Sequence, residues 1–250
     1  MLMINCMQYL AKQYVYSGGR DEQAKRMFID VIRSTEKYMV SSPKNHTQHK
    51  LLGNLRGNFE LEPVMDELAC FAPGTFLLAA RNIDELRDIE PLAADLLDSC
   101  VLAWTSTRTG IAPEVFGWID DKTGRHNAPI EGRTEELAKE FGVFPITKSY
   151  ILRPETIESI FYFYRFTKNE IYRDMGWELF KAVQQHCRAN SGFSGIVDVD
   201  AVSPKWDDRE ESFFFAETLK YFYLLFDDTN LLPLDEWVLN TEAHPLRIQK

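Results

Sequence analysis

The sequence predicts an all-α fold of helical hairpins packed in two layers, the arrangement of a helical barrel. Three observations carry that prediction. One pattern recurs along the chain: an aromatic-rich helix, a short polar turn, then a second amphipathic helix. In the segment ETIESIFYFYRFT, Ile160, Phe163 and Tyr164 share one face while Phe161 and Tyr162 point elsewhere. A helix apolar on so many sides must be buried on most of them, as the inner wall of a barrel is. Aromatic residues make up 13% of the chain, with 17 Phe, 10 Tyr and 5 Trp, enough to fill such a wall.

Taken in order, the first pair is MQYLAKQYVY, the turn SGGRD, then EQAKRMFIDVIRST. Lys50 to Pro63 (KLLGNLRGNFELEP) carries glycines and alternation, which predict a short β-hairpin. The second pair is DELACFAPGTFLLAA, RNID and ELRDIEPLAADLLDSCVLAWTST. Gly110 to Tyr150 is Pro- and Gly-rich, with a charged helix near Thr134–Glu140. The third pair is ETIESIFYFYRFT, KNE and IYRDMGWELFKAVQQHCR. Gly192 to Pro204 (GFSGIVDVDAVSP) reads as a strand or hairpin. The fourth pair, AETLKYFYLLFDDTNLLPLDEWVLN, has a short second half. Irregular stretches this long in a compact domain are usually functional. No composition shift divides the chain.

The composition narrows the function. The 250 residues are 45% hydrophobic and 26% charged, which excludes bulk disorder. No apolar run approaches the roughly 18 residues needed to span a bilayer. The opening MLMINCMQYLAKQ has neither a basic region nor a long apolar one, so it does not read as a signal peptide. The net charge of −10 argues against a nucleic-acid binder and suits a cation site or a neutral polar ligand. Cys6, Cys70, Cys100 and Cys187 are too dispersed for a zinc site. Two readings stand for them: four free buried thiols, or one disulfide between Cys70 and Cys100 at the adjoining ends of an antiparallel helix pair. Asn45-His46-Thr47 is a glycosylation sequon in a polar loop.

Three segments could carry chemistry. In Tyr150-Ile-Leu-Arg-Pro-Glu-Thr-Ile-Glu-Ser159, Pro154 suits the first turn of a helix, and Glu155 and Glu158 follow on one face with Arg153 beside them. The same residues also fit a dipole-stabilised surface helix start, but the aromatic run behind them argues for an interior mouth. Glu217 follows a Phe run in a helix that continues LKYFYLLF, and a lone buried acid must be paired or bind a cation unless that face is solvated. In Asn240-Thr241-Glu242-Ala243-His244-Pro245, Thr241 offers a hydroxyl and a carbonyl to a hard cation, although the triplet also suits a helix cap. Glu114, in TGIAPE, is a further acid in a Pro/Gly loop. The histidines show no metal spacing.

Together, LRPETIES, ESFFFAETLKYFYLLF and the terminal LNTEAHPL resemble the class I α-mannosidases, glycoside hydrolase family 47. TGIAPE, the ACF at Cys70 and YxxxGWELF at 172–180 support the resemblance, which runs from about Met7 onward. It implies an (αα)7 barrel plugged by a C-terminal hairpin, of which this chain would hold about four of the seven pairs as the C-terminal portion of a single catalytic domain, 1–250. It implies a bound Ca2+ and inverting hydrolysis of 1,2-linked α-mannose on high-mannose N-glycans of glycoproteins, in the endoplasmic reticulum or Golgi, with any membrane anchor upstream. A monomer is expected and no nucleic-acid partner.

The resemblance also assigns residues. Glu155 matches the catalytic base, with Arg153 and Glu158 beside it. Phe213 matches the aromatic that stacks under the −1 mannose. Glu217 and Glu242 match acids that hold sugar hydroxyls and calcium-bound waters, and Thr241 matches the direct calcium ligand. Glu114 matches another cavity carboxylate, and Cys70 and Cys100 match a disulfide pair. An inverting site needs an acid and a base roughly 6.5–9.5 Å apart with a water between.

The departures fall on one side of that site. Where the family reads DSxYEYLLK, this chain reads Ile4-Asn5-Cys6-Met7-Gln8-Tyr9-Leu10-Ala11-Lys12, so an Asp falls on Ile4 and a Glu on Gln8. The family's HLxCF reads Glu67-Leu-Ala-Cys-Phe. The chain therefore carries the base and calcium side of the site without the acid side. Hydrolysis, calcium-dependent mannose binding without hydrolysis, and a plain helical scaffold are the competing expectations. The retained buried acids speak against the scaffold.

Overall fold

The computed structural model describes residues 2–250, with side chains from Cys6 onward. Among the described residues, three helical hairpins and one further helix form a wall. The hairpins are α1 (Leu2–Tyr16) with α2 (Glu22–Tyr38), α3 (Ala72–Asn82) with α4 (Glu90–Thr105), and, after the short α5 (Gly132–Glu140), α6 (Glu155–Thr167) with α7 (Ile171–His186). The last helix is α8 (Lys220–Phe226), continuous with a π-helical turn at Phe214–Leu219. α1, α3, α6 and α8 pack side by side in that order as the inner layer, and α2, α4 and α7 back them.

Burial separates the layers as the hydrophobic pattern predicts. Every residue of α6 from Glu155 to Arg165 is buried, as is every residue of α3 from Ala72 to Ala80. α2 buries a single stripe, Ala24, Phe28, Ile32 and Thr35, at helical spacing. Its start is set by Asp21, whose carboxylate accepts from the Ala24 N–H at 2.9 Å. α7 likewise buries Gly176, Leu179 and Val183. The inner helices approach closely where side chains are absent. A Cβ on Gly74 of α3 would lie 2.9 Å from Ser159 Cα of α6.

The β-structure is peripheral. Strands β1 (Val40–Ser41) and β2 (Leu51–Leu52) pair, as do β3 (Asn54–Leu55) and β4 (Leu61–Glu62), which form the hairpin expected within Lys50–Pro63. β5 (Val64–Asp66), β6 (Val115–Trp118) and β7 (Val143–Thr147) make a three-stranded antiparallel sheet. β8 (Trp237–Leu239) and β9 (Pro245–Arg247) close the chain as a hairpin against α1. Cys70 and Cys100 are disulfide-bonded with Cα atoms 5.9 Å apart, whereas Cys6 and Cys187 are free thiols.

Two expectations need correction. The second half of the fourth pair is not a helix. Asn230 and Leu232 adopt left-handed backbone at φ 56°, Pro233 has no N–H to continue a ladder, and the chain proceeds into β8. Gly192 to Pro204 forms no continuous strand, and of the strand or hairpin expected there it keeps an irregular hairpin: Ile196 bridges Trp206 and Tyr150, and Val197 N–H donates to the Lys205 carbonyl at 2.9 Å. The Ser194 hydroxyl accepts from the Asp208 N–H at 3.0 Å, so a side chain takes a backbone donor that a regular ladder would use.

Candidate active site

The residues singled out in sequence assemble into two adjoining polar nests at one side of the inner wall. The first surrounds the start of α6. Pro154 occupies its cap, and Glu155 is its first residue, 7% exposed. The sheet supplies the neighbours: Glu67 directly follows β5 and Glu114 directly precedes β6, joined by Glu67 N–H to Glu114 C=O at 2.9 Å. Arg153 Nε donates to Glu114 Oε2 at 2.7 Å, and its Nη1 lies 3.6 Å from Glu155 Oε1. The Ile151 N–H donates to Glu114 Oε1 at 3.3 Å. Glu67 Oε1 accepts from the Thr156 N–H at 3.3 Å and the Thr156 hydroxyl at 2.7 Å.

The backbone leading into this nest is strained. Leu152 is buried with φ at 70°, a left-handed conformation that costs a non-glycine residue roughly 1–2 kcal/mol. Its carbonyl accepts from the Thr218 hydroxyl at 2.7 Å, which ties the Arg153 loop to the π-helical turn. Such strain persists only where the surroundings hold it, and it recurs at functional sites.

The second nest lies one turn along α6. Glu158 Oε1 accepts from Gln8 Nε2 and from Lys12 Nζ, both at 2.9 Å. Lys12 also reaches the Asn240 carbonyl at 3.3 Å, and Lys220 Nζ donates to the Ala243 carbonyl at 3.0 Å. Between these lies Glu217, presented by the π-helical turn, a wide turn often found where a side chain must be aimed at a site. Phe213 stands half-buried at the entry to that turn.

Thr241 and Glu242 sit in the tight turn between β8 and β9. The Asn240 side chain accepts from the N–H groups of Glu242 and His244, at 2.9 Å and 2.8 Å, and fixes it. The Thr241 hydroxyl hydrogen-bonds Tyr9 of α1. A cavity of about 490 Å3 opens between α1 and this hairpin, with Tyr9, Lys12 and Asn240 in its wall.

The electrostatics follow from burial. Desolvation, then the charge of Glu67, pushes the Glu155 carboxyl well above the usual range despite Arg153. Burial raises Glu114 in the same direction, against the pull of Arg153. Glu217 is pushed up to about 8 by burial and by the charges of Glu158 and Glu242, with Lys12 and Lys220 opposing.

This second nest fits a hard divalent cation. The charges of Glu158 and Glu242 help to raise Glu217, which is the condition a cation relieves, and Thr241 offers a hydroxyl and a carbonyl in a partly exposed turn. Among the described residues no group of three or more His, Cys, Asp or Glu side chains is placed to ligate a metal together. Glu217 and Glu242 would then act on a cation through its waters rather than directly.

Of the residues singled out in sequence, Glu114, Arg153 and Glu155 meet in the first nest, whereas Glu158, expected beside Glu155, lies one turn along α6 and joins Glu217 in the second, next to the Thr241–Glu242 turn. Sequence reasoning noted Glu67 and Gln8 as departures without seeing their partners, and it missed Lys12 and Tyr9. Gln8 and Lys12, spaced i, i+4 beside the apolar Met7, Ala11 and Val15 of the same buried face, are the available sign. The side chain of Ile4 lies outside the described residues.

Among the described residues, no helix is long and apolar enough to cross a membrane. The sequence model described as "Glycosyl hydrolase family 47" matches residues 6–248. A mannosyl-oligosaccharide 1,2-alpha-mannosidase IB of Homo sapiens is 40% identical over 243 residues, covering 96% of this chain and 35% of that protein. A mannosyl-oligosaccharide alpha-1,2-mannosidase IA of Spodoptera frugiperda is 39% identical over 245 residues, covering 97% of this chain and 34% of that protein. The solved alpha-1,2-mannosidase from Trichoderma reesei superposes with a TM-score of 0.92 at 33% identity, over 98% of this chain and 51% of its own. The chain thus spans about a third of the length of the curated relatives it matches. With the barrel wall, the disulfide and both nests in place, the chain belongs to glycosyl hydrolase family 47.

Proposed function

We propose that this chain provides the base and calcium side of a site that recognises and trims 1,2-linked α-mannose on high-mannose N-glycans. The observation that supports it is the convergence of Glu155 with Arg153 and Glu114, and of Glu217 with Glu158 and the Thr241 turn, on one wall of a family 47 fold. In this reading Glu155 in its ionised form takes a proton from the attacking water, and Arg153 holds Glu155 and Glu114 in position. Phe213 offers an apolar face to the sugar ring. Thr241 would hold Ca2+ through its two oxygens, with Glu217 and Glu242 on the ion's waters. Bound there, the ion would supply an electrophile that orients vicinal sugar hydroxyls. A sugar-processing role suits the secretory pathway, as does the Cys70–Cys100 disulfide.

A second reading, calcium-dependent mannose binding without release, is favoured by a separate observation. Gln8 stands where the resemblance places a carboxylate, and it is committed to Glu158 at 2.9 Å. The two are separated by incubating the chain with a high-mannose glycan and assaying both free mannose and bound glycan. Release that is abolished by EDTA and reduced at least 100-fold by Glu155→Gln supports hydrolysis. Calcium-dependent binding without release supports the second reading. Calcium binding that survives Thr241→Ala unchanged would sink the cation assignment.

A further inference from the structure

Glu67 and Glu155 meet in the interior with one oxygen each unaccounted for. Glu67 is 0% exposed and Glu155 is 7% exposed. Oε1 of Glu67 is taken by Thr156, and Oε1 of Glu155 faces the outer reach of Arg153. Oε2 of each is buried without a hydrogen-bond partner. The Glu67 carboxylate is seated on the N–H and hydroxyl of Thr156, the residue that follows Glu155, so the two carboxyls share the buried mouth of α6.

Two ionised carboxylates cannot rest in that arrangement. The other groups facing them are Arg153, Glu114 and the buried phenol of Tyr150. Arg153 makes its short bond to Glu114, so its positive charge is largely committed there. A buried acceptor left without a donor costs roughly 1–3 kcal/mol, and more when charged. One proton held between the two carboxyls supplies the missing donor and removes one negative charge. Like charges confined to one buried site drive one member of such a pair to keep its proton. The upward displacement of Glu155 has the same sign.

We propose that Glu67 and Glu155 form a proton-sharing carboxyl pair that retains one proton at neutral pH, with Glu67 as a positioning residue that aims Glu155 and sets its protonation. Glu67 occupies the site where the resemblance puts a histidine, so the pair is a property of this chain's own residues. At neutral pH Glu155 is then a hydrogen-bond donor for part of the time, suited to holding a neutral sugar hydroxyl. It becomes a fully ionised base only once the pair loses its proton at higher pH.

The pairing is tested on the 250-residue chain without any sugar, so its failure is independent of the mannosidase reading. The readout is the infrared absorption of protonated carboxyl groups at pH 7. It is measured in a Glu217→Gln background, because Glu217 also holds a proton there. The expected result is one band that is lost in Glu67→Gln, lost equally in Glu155→Gln, and diminished no further in the double variant. Independent bands removed separately by the two substitutions would overturn the proposal, as would a band that neither removes. If the Glu67 and Glu155 variants do not fold, the Glu217→Gln protein alone decides: a protonated carboxyl present at pH 5 and still present at pH 7 upholds the pair, and its absence at pH 7 overturns it.

Discussion

A carboxylic acid placed among carboxylates inside an apolar wall ties stability to pH, and Glu217 shows the sign. Its folded value is pushed up to about 8, above the ordinary 4.5, by burial and by Glu158 and Glu242. The folded chain therefore binds more protons than the unfolded chain between those values. Stability is fully present below pH 4.5 and is lost as pH rises toward 8, at up to about 1.4 kcal/mol per pH unit for a single proton. Glu217→Gln keeps the volume and removes the titration. Urea unfolding in EDTA at pH 5, 7 and 9 should show a shallower decline for the variant than for the parent, and superimposable slopes would refute the assignment. The need of Glu217 for a partner or a cation was legible in the sequence, since it is one acid in a Phe-rich helix. Its aim was not, because a π-helical turn at Phe214–Leu219 shifts the register by a residue that periodicity at 3.6 cannot anticipate. The position of Glu67 was hidden for another reason: 89 positions separate it from Thr156, which it bonds, and the antiparallel sheet together with the short helix Glu67–Phe71 brings it to the start of α6.

At the scale of elements, the inner wall depends on how closely its helices approach. The many-sided apolar pattern of ETIESIFYFYRFT was enough to place α6 inside, and the single apolar stripe of EQAKRMFIDVIRST was enough to place α2 outside. The missing fourth outer helix was less legible, since short apolar steps around Pro233 fit a helix turn and a strand equally until backbone geometry decides. One close approach is between α3 and α6. There the Gly74 N–H donates to Ser159 Oγ at 2.9 Å, and the same hydroxyl donates to the Cys70 carbonyl. A methyl group at position 74 would meet Ser159 Cα at 2.9 Å and the Tyr162 ring at 3.0 Å, and the first of these is backbone that cannot swing aside. Gly74→Ala should cost about 1–3 kcal/mol, the range for overpacking a core. Gly57 has open space around its Cβ position, so Gly57→Ala should stay within about 0.5 kcal/mol. Urea midpoints of the two variants, compared at equal m-value, check both.

On the scale of the whole molecule, the two ends of the chain hold each other. The Gln249 N–H donates to the Tyr16 carbonyl at 2.9 Å, Tyr9 bonds Thr241, and Lys12 joins α1, α6 and the β8–β9 hairpin at one ammonium. The Lys12–Glu158 pair is buried on both sides, 4% exposed at each side chain. Removing one partner of a buried pair strands the other charge and costs about 3–5 kcal/mol, whereas replacing both by apolar groups of similar size is often neutral. Lys12→Met should therefore lower the unfolding midpoint sharply, and adding Glu158→Leu should restore most of it. Calcium affinity should behave differently. Both variants lose the bond from Lys12 to the Asn240 carbonyl, which anchors the turn carrying Thr241, so both should bind Ca2+ more weakly than the parent. Calorimetric titration with Ca2+, run beside urea unfolding of the same three proteins, separates the effects. Stability that recovers while affinity does not would mean that Lys12 serves the hairpin as well as the core. Affinity that recovers together with stability would mean that the hairpin is held by the fold at large and that Lys12 acts only as the partner of Glu158.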